Sequence, residues 1–80
     1  MDLTLNKIIE LITYALEVEP GVIQETTRAS DIEDWDSLRH ISIQYEIDKA
    51  FNNITEKCPG LASASSVKDV YEALIDAMGN

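Results

Sequence analysis

Three stretches of this 80-residue chain repeat apolar side chains one helical turn apart, and that spacing restricts what it can fold into. Between residues 3 and 17, Leu5, Ile8, Ile9, Ile12 and Leu16 share a face, with Lys7, Glu10 and Glu17 turned away from it. Between 67 and 78, Val67, Val70, Tyr71, Leu74 and Met78 repeat the pattern. Residues 37–51 form the third stretch, with Asp36 as a suitable N-cap. Glu19-Pro20-Gly21 is expected to end the first helix and Asn52-Asn53 the second. Ser66 is expected to cap the last, Asp69 completing an approximate capping box and Gly79 taking the left-handed position after its end. Residues 52–65 are broken again by Pro59-Gly60, leaving Leu61, Ala62 and Ala64 for a short helical segment. The expectation is an all-α bundle of three main helices plus a short one, a single domain over residues 1–80.

The helix over 37–51 differs from the other two. At about 100° per residue it carries two apolar stripes. Ile43, Ile47, Ala50 and Phe51 form one; Leu38, Ile41 and Tyr45 form the other on the far side. Arg39, Ser42, Glu46 and Lys49 separate them on one edge, Gln44 and Asp48 on the other. A helix in a small bundle needs one buried face, so the Phe51 stripe is assigned to the core and Leu38, Ile41 and Tyr45, with Arg39, to partner docking. The alternative is that both stripes are buried, one beneath the long loop.

That loop, Val18–Asp36, is 19 residues long, which in a compact domain implies a job. Val22, Ile23, Ile32 and Trp35 are its expected anchors, and a helical turn near Val22–Glu25 is left open. It is also where charge collects. Residues 1–36 hold nine acids against two bases (net −7), residues 37–80 six against four (net −2). A net charge of −9 excludes nucleic acid and acidic lipid as natural partners and favours basic protein surfaces. The single cysteine, Cys58, excludes an internal disulfide and is read as a semi-buried filler, and no Cys/His cluster suggests zinc. Asp2 and Glu10 among the first apolar residues argue against a signal peptide or membrane span, so a cytoplasmic monomer is expected.

At the loop's end, Asp31-Ile32-Glu33-Asp34-Trp35-Asp36-Ser37-Leu38 places Ser37 in the first turn of the second helix. Backbone N–H groups without intrahelical partners, and the positive end of the helix dipole, would favour an anionic group on its hydroxyl. With His40-Ile41 following, then Glu46-Ile47 and Phe51 at the helix end, the stretch resembles the acyl carrier protein family, and the likeness extends from Leu5 to Met78. The resemblance implies a four-helix bundle with a short third helix. It implies phosphopantetheine attached to Ser37 by a separate phosphopantetheinyl transferase using coenzyme A and magnesium, with acyl or polyketide-type cargo carried as a thioester in fatty acid or specialised lipid and polyketide biosynthesis. Asp36 would cap the helix and help position the metal during loading. Acyl-loading and acyl-processing enzymes would be the further partners, and Ile43, Ile47, Phe51 and Leu61 would line the interior an acyl chain enters.

Several features bear on rival readings. Asp34 stands where many members of that family have glycine, and Arg39, Glu46, Asp48 and Lys49 sum to zero charge on a surface that is acidic in well-known members. A dedicated partner set is therefore expected rather than that of general fatty acid synthesis. A peptidyl or aminoacyl carrier is the nearest alternative, and an unmodified helical adaptor another. His40 lies three residues after Ser37, but without an orienting third group or a glycine elbow it reads as a surface or boundary residue, and no catalytic residue is expected. Asp31, Glu33, Asp34 and Asp36 do not make a calcium loop, since Asp36 and Ser42 stand where such a loop needs Gly and Glu; weak adventitious divalent binding is the limit. Trp35 is read as a loop anchor or a contact for the loading enzyme.

Overall fold

The computed structural model describes residues 3–79; Met1, Asp2 and Asn80 lie outside the described residues, and with them the Asp2 argument and the two ends of the 1–80 domain. Three α-helices, α1 (Leu5–Leu16), α2 (Ser37–Phe51) and α3 (Val67–Gly79), are joined through 3₁₀ turns at Ala29–Asp31, Ile54–Lys57 and Pro59–Leu61. Among the described residues there is no strand, only a single antiparallel bridge between Arg28 and Ser66. The Cα radius of gyration, 11.2 Å, is close to the roughly 11.6 Å expected of a folded chain this long.

Each helix buries the stripe its spacing specifies. Ile8, Ile12 and Leu16 of α1, Ile43 and Ile47 of α2, and Val67, Val70 and Leu74 of α3 are fully buried and meet Leu61 in one core. Each such side chain removed from water contributes about 1.5–3 kcal/mol. Leu5, Ile9, Phe51 and Tyr71 pack partly buried around it. Met78, assigned to the same stripe, is exposed, while Ala77 beside it packs against the core.

The helix ends differ in part from expectation. Thr4 caps α1, its hydroxyl accepting from the Lys7 amide. The helix stops at Leu16, before Pro20: Glu17 adopts the left-handed conformation (φ 57°) and the Val18 amide donates to Thr13 O. Asn52 and Asn53 are both left-handed (φ 61° and 62°) and end α2 as expected. Ser66 caps α3 by accepting from the Asp69 amide, but the Asp69 carboxylate reaches back to the amide and hydroxyl of Ser65, one residue earlier than a capping box. Gly79 is the last residue of α3, not the left-handed residue after it.

The long loop is fastened by backbone pairing. Ala29 N–H donates to Ser65 O (2.7 Å) and Val67 N–H to Thr27 O (3.0 Å), tying the loop to the start of α3. Thr27 is buried there, its hydroxyl accepting from the Gln24 amide. Ile23 and Trp35 are buried anchors, Ile32 is partly buried, and Val22 is exposed and anchors nothing. The helical turn lies at Ala29–Asp31; none forms at Val22–Glu25.

Residues 52–65 hold two 3₁₀ turns, with Ala62 and Ala64 outside both. Asp48 of α2 fixes the first by accepting from the amide and hydroxyl of Thr55 (2.9 and 2.7 Å). Cys58, buried beside the second, donates its thiol hydrogen to Ala73 O of α3. No helix among the described residues is long and apolar enough to cross a membrane.

Candidate functional site

Ser37 is the first residue of α2 and is exposed. Asp36 precedes it as N-cap: one carboxylate oxygen accepts from the Arg39 amide (2.9 Å), and its carbonyl accepts the first helical bond from His40. Among the described residues, nothing donates to or accepts from the Ser37 hydroxyl. It stands free at a helix start where anions are favoured.

Behind Ser37 the chain is held tightly. Trp35 Nε1–H donates to His40 Nδ1 (3.1 Å), and His40 Nε2 is 2.9 Å from Leu61 O. Indole N–H can only donate and a carbonyl can only accept, so the imidazole is neutral with its proton on Nε2. The Trp35 and His40 rings are nearly parallel, 17° apart, with centroids at 6.2 Å. One side chain of α2 thus joins the end of the long loop to the turn at Pro59–Leu61. Both ring nitrogens are engaged away from Ser37, so the Ser37–His40 pair does not form.

Leu38, Ile41 and Tyr45 project to solvent, 74%, 62% and 62% exposed, so the second stripe of α2 is not covered by the loop. Arg39, grouped with them for docking, forms an ion pair with Glu17 at the end of α1. The hydrogen bond and charge of Glu17 raise its pKa, with Asp34 and Asp36 adding to the effect. Farther along α2, Lys49 pairs with Glu46 at 3.3 Å and lies 5.1 Å from the centre of the Tyr45 ring.

A groove of about 580 Å³ opens beside Ser37, between the first turns of α2 and the segment 62–65; Trp35, His40, Ile41, Ala62 and Ser65 are among its walls. Larger grooves of about 800 and 660 Å³ lie along the end of α1 and along the acidic loop, and neither is lined by Ser37. None of the three is lined by Ile43, Ile47, Phe51 or Leu61, expected to face an acyl chain. The first two and Leu61 are sealed in the core, and Phe51 is partly buried at its edge. Among the described residues no group of three or more His, Cys, Asp or Glu is placed to hold a metal ion.

His40 is part-buried, a boundary position as expected, but its hydrogen bonds to Trp35 and Leu61 O were not read from the sequence. On the helical wheel it falls about 20° from Ile47, inside the buried stripe, and that position was the available signal. Compared with models of known protein families, with curated proteins and with solved structures, the chain finds no match.

Proposed function

We propose that this chain is a carrier protein of the acyl-carrier type, with phosphopantetheine attached at the Ser37 hydroxyl. The observation that carries this reading is the free, exposed hydroxyl at the first residue of a capped helix, beside a groove. The local chemistry fits the group. The Ser37 and Leu38 amides lie in the unpartnered first turn and can face a phosphodiester, while Asp36 has an oxygen committed to the cap. When bound, the arm supplies a thiol that holds an acyl group as a thioester. The protein positions that arm, and tethering raises the cargo's local concentration at each enzyme served.

On this reading the two 3₁₀ turns at Ile54–Lys57 and Pro59–Leu61 stand in for the short third helix of an acyl-carrier bundle. Leu38, Ile41 and Tyr45 form the surface that a phosphopantetheinyl transferase and acyl-loading and acyl-processing enzymes touch. A monomer working in the cytoplasm within a specialised acyl, lipid or polyketide pathway fits the acidic loop and the zero net charge of Arg39, Glu46, Asp48 and Lys49 on α2. The peptidyl or aminoacyl carrier is the nearest variant. An unmodified adaptor is the second reading, favoured by the same exposed stripe, which needs no modification to bind a partner.

Incubation with coenzyme A, magnesium and a broad-specificity transferase, followed by intact mass measurement, separates the two. A gain of one phosphopantetheine moiety that Ser37→Ala abolishes supports the carrier. An unchanged mass, with the transferase active on a control carrier, overturns it in favour of the adaptor.

A further inference from the structure

Resting on the assignment of Ser37 as attachment point, the geometry points to His40 as a staple that keeps cargo out of the core, so that this carrier takes short or polar acyl groups rather than long hydrocarbon chains. Along α2, His40 lies between Ser37 and the buried pair Ile43 and Ile47, about 4.5 Å along the axis from each of Ser37 and Ile43. The way into the core along the buried face of α2 runs past His40, between that helix and the turn at Pro59–Leu61. His40 closes that seam: its ring bridges Trp35 on one side and Leu61 O on the other, while the Leu61 side chain is 1% exposed in the core just behind.

Opening the seam would cost more than moving an apolar side chain. It would break the bond to Leu61 O, which keeps only the Ala64 amide as donor, and turn an imidazole N–H toward hydrocarbon without a partner. The alternative resting place costs nothing of the kind. The groove beside Ser37 is already formed, and its walls mix apolar residues, Trp35, Ile41, Ala62 and Ala64, with hydrogen-bonding ones, Ser63, Ser65 and Gln44. That lining suits a few carbons bearing a hydroxyl, amine or amide, and it leaves a long alkyl chain in water. His40 acts here as a positioning residue.

The test is independent of enzymatic loading. The Ser37→Cys variant is treated with methyl, butyl and octyl methanethiosulfonates; the introduced thiolate displaces methanesulfinate, an S–S bond forming as the reagent's S–SO₂ bond breaks. Cys58 stays unlabelled because it is buried. The readouts are the Ile43 and Ile47 methyl resonances, the Trp35 indole N–H and the amides of residues 62–65. The expected result is that groove signals shift with every adduct, whereas the Ile43 and Ile47 methyls stay where the methyl adduct leaves them. Octyl-dependent shifts of those methyls in the otherwise unchanged protein would overturn the proposal. In a His40→Leu background that retains its helical circular dichroism, the octyl adduct should move them; a folded variant in which it does not would also count against the staple. Imidazole ¹⁵N shifts of the unlabelled protein add a check that needs no variant: the neutral ring must carry its proton on Nε2, and a proton on Nδ1 would refute the bridge. Because the chain is attached chemically, a protein that no transferase loads still reports on its core, and the two failures remain distinct.

Discussion

Removing the same three carbons from two isoleucines of α2, one on each stripe, should have very different consequences. Ile47 is completely buried and Ile41 is 62% exposed. Truncation to alanine deletes roughly three methylene equivalents at about 0.8 kcal/mol each, or about 2.4 kcal/mol when all are buried. At Ile47 a cavity cost adds to this, giving a loss of about 3 kcal/mol within the roughly 2–5 kcal/mol range for such core changes. At Ile41 only about two-fifths of the transfer term is at stake, roughly 0.9 kcal/mol, and the better helix propensity of alanine returns a few tenths of a kcal/mol. The net cost there is about 0.5 kcal/mol. For a chain of this size each kcal/mol moves the melting temperature by about 4–8 °C. Ile47→Ala should therefore melt about 12–24 °C lower, and Ile41→Ala within about 4 °C of the parent. Urea and thermal unfolding followed by far-UV circular dichroism measure both, and an unchanged m-value shows that the comparison is of stability alone. Equal, large losses would mean that the Leu38/Ile41/Tyr45 stripe is covered in solution and would refute its assignment as a docking face. Equal, small losses would mean that α2 does not pack through Ile43 and Ile47.

Asp36→Ala should cost about 1 kcal/mol of unfolding free energy through loss of the cap, and Asp36→Asn much less, because an amide oxygen can still accept from the Arg39 amide. Burial pushes the Cys58 thiol above its ordinary pKa, partly offset by a backbone hydrogen bond from Leu61, with Asp76 adding to the rise. The folded state therefore holds the thiol proton more tightly than the unfolded chain. That contribution is complete below the ordinary thiol range and is lost as pH rises through the elevated value, so alkylation by iodoacetamide at neutral pH should follow protein opening and accelerate in urea. Thr27→Val should cost about 1 kcal/mol, since the Gln24 amide loses its acceptor; an unchanged denaturation midpoint would show that water replaces the hydroxyl.

Much of α2 was legible because what defines it is local. The Asp36 cap acts on Arg39, three residues away, and the two stripes follow from helical spacing, so both bounds and both faces could be read from 15 consecutive residues. The end of α1 could not be read, because Glu17 is left-handed without being Gly or Asn, and Pro20 and Gly21 gave the more obvious stop. The anchoring of the long loop was equally hidden. It depends on backbone groups of Thr27 and Ala29 meeting Ser65 and Val67, nearly forty residues on, and backbone pairing leaves little trace in side-chain pattern. Within the candidate site, Ser37 and Asp36 were legible as a motif on a helix start. The role of His40 depends on Leu61, 21 residues away in a segment with no helical periodicity to place it.

Three separate ties converge on the first turn of α2. Asp36 caps it, Arg39 joins it to Glu17 at the end of α1, and His40 joins it to Trp35 and Leu61. The first of these is local and the other two reach across the fold, so the turn cannot shift without disturbing the loop, α1 and the 3₁₀ segment together. Core packing alone does not require this, since Ile43 and Ile47 hold α2 one and two turns farther on. Among these ties the Ser37 hydroxyl is left without a hydrogen-bond partner in the described residues. A firmly held backbone under one uncommitted hydroxyl is what a carrier needs, because the mobility belongs to the arm and the attachment point must present the same surface to each enzyme in turn. An adaptor binding through Leu38, Ile41 and Tyr45 would gain equally from a rigid α2, but it would have no use for a free hydroxyl beside a groove. Loading of Ser37 is therefore the decisive measurement.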